Sequence, residues 1–196
     1  GQRNEEVNVN FAPGGASLTG NQAHLPAPSG NTNAESFTKL RGAADALALR
    51  LRHHNEQIHR EHMPPGPDAR AVYDALEQVR CESLGANRLS GVSQNLTALL
   101  DERCQARGYA GVIDKNVVML PDVIGLLARE HLTGEPSPSS AKALVDLWRD
   151  DIEAKIGEKF QVMNTCIDDQ AAFSDLVYEM VEELELINDD SKPSDS

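Results

Sequence analysis

Apolar residues recur at steps of three and four along most of this chain, and only near its start do they alternate with polar ones. The longest helical run covers residues 37–62. Phe37, Leu40, Ala44, Leu47 and Leu51 fall on one helical face, which continues through His54, Ile58 and His62. The spacing predicts one continuous helix of about seven turns at ~3.6 residues per turn. Its first half reads as buried, and its histidine-bearing second half as emerging toward solvent or a partner. Asn33 is the expected N-cap, with Glu35 favourable in the first turn. The Met63-Pro64-Pro65-Gly66-Pro67 run ends the helix, because proline cannot continue the hydrogen-bond ladder. The other elements are expected to pack against this spine.

The same periodicity predicts a helix over 68–84, with Val72, Leu76 and Val79 inward and Gly85 as its stop. The next covers 87–107, with Leu89, Val92, Leu96 and Leu99 or Leu100 inward and Gly108 as a left-handed cap. Residues 109–118 read as irregular, with Val112 and Ile113 tucked beneath. Pro121 opens a further helix carrying Ile124, Leu127 and Leu132 and stopping at Gly134. After a linker of turn formers over 135–140, where Ser137 or Ser139 can cap, Leu144, Val145, Trp148, Ile152 and Ile156 mark a helix over 141–156. A shorter one follows over 158–167. Asp168 or Asp169 then caps a last helix carrying Phe173, Leu176, Val177, Met180, Leu184 and Ile187.

Ahead of the helices, Val7, Val9 and Phe11 alternate with polar residues, as do Ala16 with Leu18 and Ala23 with Leu25, separated by Pro13-Gly14-Gly15 and Gly20-Asn21. The expected fold is therefore mainly α: a multi-helix domain over 34–187 with a small antiparallel β-meander at 1–33 packed on it. The acidic, proline-broken residues 188–196 are expected to be disordered. The Gly14-Gly15 pair completes neither GxxxxGK[ST] nor GxGxxG and reads as a hairpin turn.

Composition narrows the picture. Only 4% of residues are aromatic, so leucine, valine and alanine must build the core, which suits helices. The formal charge of -13 repels a phosphate backbone and anionic lipid, which argues against nucleic acid and membranes as partners and for cations or basic protein surfaces. No run approaches the ~18 apolar residues of a membrane span. No charged start leads into an apolar segment either, so no signal peptide is expected, and Gly1 reads as an expression scar or a cut inside a longer protein. Cys81, Cys104 and Cys166 are odd in number and far apart, which fits buried thiols in a reducing cytoplasm rather than a disulfide framework.

The candidate chemistry is sparse. His53, His54, His59 and His62 share one stretch, and His59 and His62 at i, i+3 could chelate a transition metal. HExxH is absent and Arg60 opposes a cation, so the competing reading is an exposed polar face. Asp150-Asp151 and Asp168-Asp169 diverge by about 100° on a helix, which suits capping or solvent better than a carboxylate dyad. Glu179, Glu182, Glu183 and Glu185 form an acidic face, either solvated or a docking surface for a basic partner. No local signature of a Ser-His-Asp or Cys-His arrangement occurs, and the residues establish no catalytic site.

Several segments in order (FAPGGASLTG, RGAADALALRLRHHN, ARAVYDALEQVRCESLGA, GVSQNLTALLDERCQARGY, REHLTGEP, ALVDLWRDDIEAKIG and DDQAAFSDLVYEMVEELEL) closely resemble the N-terminal region of the CobT subunits of aerobic cobaltochelatase. The likeness runs from about Val7 to Leu186. It implies a non-catalytic part in the ATP-dependent insertion of Co²⁺ into hydrogenobyrinic acid a,c-diamide. The implied partners are the AAA+ subunit CobS and the large subunit CobN, in a ring-shaped hetero-oligomer in the cytoplasm that uses ATP, Mg²⁺ and Co²⁺. The resemblance puts no catalytic, cofactor or metal residue in this region. Family chains continue into an acidic linker and a von Willebrand-type domain with a DxSxS motif. Asp189-Asp190-Ser191-Lys192-Pro193 does not complete that motif, so either a truncated chain or one lacking that domain is expected, and metal-dependent docking is not assigned to it. The competing expectation is a metal-handling domain that presents Co²⁺ through His53, His54, His59 and His62.

Overall fold

A computed structural model describes residues 7–27, 30 and 33–187. The segment 188–196, expected to be disordered, lies outside the described residues. Seven helices and a three-stranded sheet make up the described chain, so the fold is mainly α.

Helix α1 (Ala34–His53) starts where expected, with the Asn33 side chain accepting from the Ser36 amide at 2.8 Å. Its inward face is not the large-residue stripe. Gly42, Ala43 and Ala46 are buried, while Phe37 and Leu51 are 47% and 38% exposed. The reason is the closeness of α4 (Ser90–Ala106): a Cβ on Gly42 would meet the Asn95 carbonyl oxygen at 2.3 Å. Two helix backbones that approach this closely select the smallest side chains, and Leu40, Ala44 and Leu47 flank the seam half-buried.

Nor does one helix run from 37 to 62. His54 and Asn55 are extended, and α2 (Glu56–Glu61) restarts with the Asn55 side chain accepting from the Gln57 and Ile58 amides. An asparagine at that position competes effectively with the helix for backbone donors.

The hub is instead α3 (Pro67–Ala86), which touches α1, α4, α5 and α7. Pro67 opens it, and it runs through Gly85 rather than stopping there. A Cβ on Gly85 would fall 2.5 Å from the Leu49 side chain, so that glycine serves the approach of α1. Helix α4 ends at the left-handed Gly108, as expected, and leads through two short 3₁₀ turns to α5 (Leu120–Thr133). In the connection Val112 packs against the core, but Ile113 is 82% exposed instead of tucked beneath. Gly134 closes α5 in the left-handed region, with its amide donating to the Glu130 carbonyl.

Residues 141–167, expected as two helices, form one, α6 (Lys142–Val162), and a 3₁₀ turn. Ile152, Ile156 and Phe160 carry a buried stripe across Gly157, and their burial outweighs the ~1 kcal/mol that one interior glycine costs. Ser137 and Ser139 do not cap it; Ser137 bonds Glu130 through both its amide and its hydroxyl. Asp169 does cap α7 (Gln170–Glu183), accepting from the Ala172 amide at 3.1 Å. The main core gathers α3, α5, α6 and α7 around Tyr73, Leu76, Ile124, Ile156 and Phe173, and a smaller cluster joins α1, α4 and the sheet.

The sheet is mixed, not an antiparallel meander. The three strands are β1 (Asn8–Ala12), β2 (Ser17–Thr19) and β3 (Gln22–Pro26), in the order β1-β3-β2. β2 and β3 form the expected hairpin about Gly20-Asn21, but β1 pairs with β3 in parallel, Val9 opposite Ala23 and Phe11 opposite Leu25. Alternation fixes which face is apolar but not which strand is the neighbour. β3 takes the centre because its Ala23 and Leu25 are the residues buried against the helices.

Candidate functional site

The most chemically loaded part of the molecule is the break between α1 and α2, where charged groups from α1, α2, α3 and α7 meet. Its centre is Arg80, only 2% exposed. Position 80 lies four residues after Leu76 and four before Leu84, on the inward face of α3, so a cation there must be fully paired. Arg80 Nε donates to Glu77 Oε2 at 2.8 Å and Nη2 to Glu77 Oε1 at 2.9 Å, one helical turn away. Its remaining donors close two chain ends: Nη2 reaches the His53 carbonyl at 2.7 Å, at the end of α1, and Nη1 the Ile167 carbonyl at 3.0 Å, ahead of α7. Both Glu77 oxygens are used, Oε1 also meeting His54 Nδ1 at 2.8 Å. Burial alone would raise the Glu77 carboxyl, yet the Arg80 guanidinium and the His54 ring hold it down to about 2.

Around this pair the break is held by polar contacts. The Asn55 amide donates to Gln170 Oε1 at 2.7 Å, and Gln170 Nε2 returns to the Asn55 carbonyl at 2.9 Å. Asn55 thus has both backbone groups satisfied by α7, while the His54 amide donates to the Arg50 carbonyl of α1 at 3.0 Å, so the helix stops without orphaning either donor. Tyr73 Oη donates to the His59 carbonyl at 2.9 Å, with the Ser174 hydroxyl 3.2 Å away.

The four histidines do not form an exposed polar face. His59 is 4% exposed, stacked on Tyr73 with ring centroids 4.5 Å apart, and its Nε2 lies 2.7 Å from Asp74. His54 is half-buried between Glu77 and Glu56, and His62 reaches Asp175 on α7 at 2.7 Å. His53 is pushed below its ordinary value by burial, helped by Arg52 and Arg80. His54, His59 and His62 thus lean on separate carboxylates, and among the described residues no three His, Cys, Asp or Glu side chains converge as a ligand set. The sequence signal for the Arg80–Glu77 pair was present and unread: two charged residues at core positions of an otherwise apolar stripe.

The remaining candidates are dispersed. Cys81 and Cys104 are buried and Cys166 half-buried, all free, as expected of core thiols. Burial pushes the Cys81 thiol up to about 12, so it carries negligible thiolate at neutral pH. Asp150 and Asp151 lie exposed within α6 rather than at a cap, and Asp151 pairs with Lys115. On the acidic face, Glu179 and Glu183 pair with Lys159, and Glu185 with Lys155, so part of its charge is neutralised from α6. Beside the break, an open recess of ≈ 720 Å³ lies between the β2–β3 hairpin and the end of α1, lined by Leu18, Gly20, Leu51 and His54 among others. Among the described residues no helix is long and apolar enough to cross a membrane.

The arrangement is a clasp. Arg80, Glu77, His54, His59 and His62 each bond a group on another element, and together they lock α1, α2 and α7 onto α3. No solved structure matches the chain. The family described as "Cobalamin biosynthesis protein CobT" matches residues 2–196, which cover every element described above. The chain therefore belongs to the CobT family and has a role in cobalamin biosynthesis.

Proposed function

We propose that this chain is the non-catalytic interaction region of the ATP-dependent cobaltochelatase that inserts Co²⁺ into hydrogenobyrinic acid a,c-diamide. The observation that carries the reading is the family match over residues 2–196. It is supported by the way the buried polar and charged groups are used: Glu77, Arg80, His54 and Gln170 serve to fix helices to one another. A scaffold held this way presents fixed surfaces, and the partners on this reading are the AAA+ subunit CobS and the large subunit CobN, in the cytoplasm. ATP and Mg²⁺ would belong to the complex, with Co²⁺ as its substrate.

Affinity capture with purified CobS and CobN tests the proposal. Retention of at least one of them by the folded chain is the expected result. A chain with a cooperative melt that retains neither overturns it.

A further inference from the structure

The imidazole of His54 stands between two side chains with opposite requirements. Its Nδ1 lies 2.8 Å from Glu77 Oε1, and the Glu77 carboxyl, held down to about 2, is ionised and can only accept. Nδ1 therefore carries a proton, which leaves Nε2 as the atom where the ring gains or loses its charge. Two groups reach that nitrogen. Arg50 Nη2 lies 3.3 Å away, from the last turn of α1, and Glu56 Oε2 lies 3.1 Å away, from the first turn of α2.

Arg50 can only donate, and an ionised Glu56 can only accept. A bare Nε2 suits Arg50 and sets its lone pair against the Glu56 carboxylate. A protonated Nε2 suits Glu56 and sets its N–H against the guanidinium. In either state one of the two contacts is wrong, so gain or loss of the proton requires a side chain to give way. Arg50 has the room to do so, because it lines the open recess between the β2–β3 hairpin and α1. Its other side-chain bond among the described residues is a long one, to Gln78 Oε1 at 3.5 Å.

The remaining groups around the ring are fixed. Arg80, on α3, is taken up by Glu77 and by the His53 and Ile167 carbonyls. The Cys81 thiol beside Glu77 stays protonated, and the neutral Gln170 Nε2 of α7 is 3.5 Å from Nδ1. His59, on α2, meets the ring edge-on at 4.9 Å and turns its own Nε2 to Asp74. Arg60 Nε lies 3.9 Å from the other Glu56 oxygen, and His53 at the end of α1 is held toward its neutral form by burial.

We propose that His54 is a proton-operated joint between α1 and α2: a bare Nε2 accepts from Arg50, and a protonated Nε2 donates to Glu56 and releases Arg50 into the recess. Proton uptake then ties α2 more firmly to α3, because one ring joins Glu56 to Glu77, and turns a guanidinium toward the β2–β3 hairpin. The joint is internal to this chain and works whether or not CobS or CobN binds.

Long-range proton–nitrogen NMR correlation on the ¹⁵N-labelled chain, followed from pH 8 to 5, shows which nitrogen of each imidazole carries a proton. The His54 ring is assigned by its loss in His54→Gln. The expected result is a protonated Nδ1 with a bare Nε2 at the alkaline end, and both nitrogens protonated at the acid end. Arg50→Gln removes the opposing cation and should raise the midpoint of that change. Glu56→Gln removes the acceptor and should lower it, each by about threefold in proton affinity. In the parent chain the Arg50 Nε resonance should move with the same midpoint. Cooperative melts verify that the variants fold. A bare Nδ1 at pH 8, a ring whose protonation does not change over the range, shifts of the same sign in the two variants, or an Arg50 resonance indifferent to His54 overturns the proposal.

Discussion

Helix α1 is attached to the rest of the molecule in two opposite ways. Along its middle it meets α4 by having almost no side chain, with Gly42 against the Asn95 carbonyl and Ala43 and Ala46 beside it. At its end it meets α3 and α7 through the most polar cluster in the structure, Arg80 with Glu77, His54 and the His53 carbonyl. The first contact rests chiefly on shape and apolar burial, edged by the Asn95–Asp45 hydrogen bond and the Lys39–Glu102 pair. The second rests on charge in a dry setting, where a complete set of bonds specifies one geometry and an incomplete one is costly. One helix is thus seated by fit along its middle and by pairing at its end, and the two should fail differently.

The largest effect is expected from Arg80→Met. It leaves the Glu77 carboxylate buried without its partner and frees the His53 and Ile167 carbonyls, at a cost of about 4 kcal/mol. Urea unfolding at neutral pH measures it; a midpoint close to that of the parent chain would show that the cluster does not hold the break.

Acid comes next. The Glu77 carboxyl sits at about 2 in the folded chain against an ordinary 4.5, so its contribution is fully present above pH 4.5 and is lost as pH falls through 2. That depression corresponds to roughly 3 kcal/mol. Stability followed from pH 5 downward should fall more steeply in the parent chain than in Glu77→Gln; parallel curves would remove this pair from the acid response.

The smallest of the three belongs to the seam. Gly42→Ala places a methyl group where only 2.3 Å is available to a backbone oxygen, so α1 and α4 must part, costing about 2 kcal/mol. Thermal melts at neutral pH should show the deficit. An unchanged melting temperature would erase the contrast between the two attachments.

These two attachments also mark how much was legible in the sequence. Periodicity located most of the helices, and the caps at Asn33, Gly108, Gly134 and Asp169 were readable because each is a local event. What it missed depended on a second element. The stripe Phe37, Leu40, Ala44, Leu47 and Leu51 is a sound amphipathic face, but only the position of α4 makes Gly42 and Ala46 the inward ones. The same holds for the break at His54-Asn55, where Gln170 from far along the chain satisfies both backbone groups of Asn55. His59 reads as exposed because nothing local says that Tyr73 will cover it. Likewise, alternation in Val9 and Phe11 gave the strand but not its parallel neighbour.

That parallel pairing has a practical consequence for anyone labelling the protein. Because β1 runs alongside β3, it enters the sheet at the Gly20-Asn21 turn, where the Asn8 amide donates to the Asn21 carbonyl at 2.9 Å. The turn borders the recess that also holds Leu51 and His54. A fluorophore attached at Val7 would therefore lie near the rim of that recess, while a separate groove at Pro26 and Phe37 lies toward the opposite end of the same strands. Such a reporter would answer to changes at the recess beside His54 and leave that groove unobstructed.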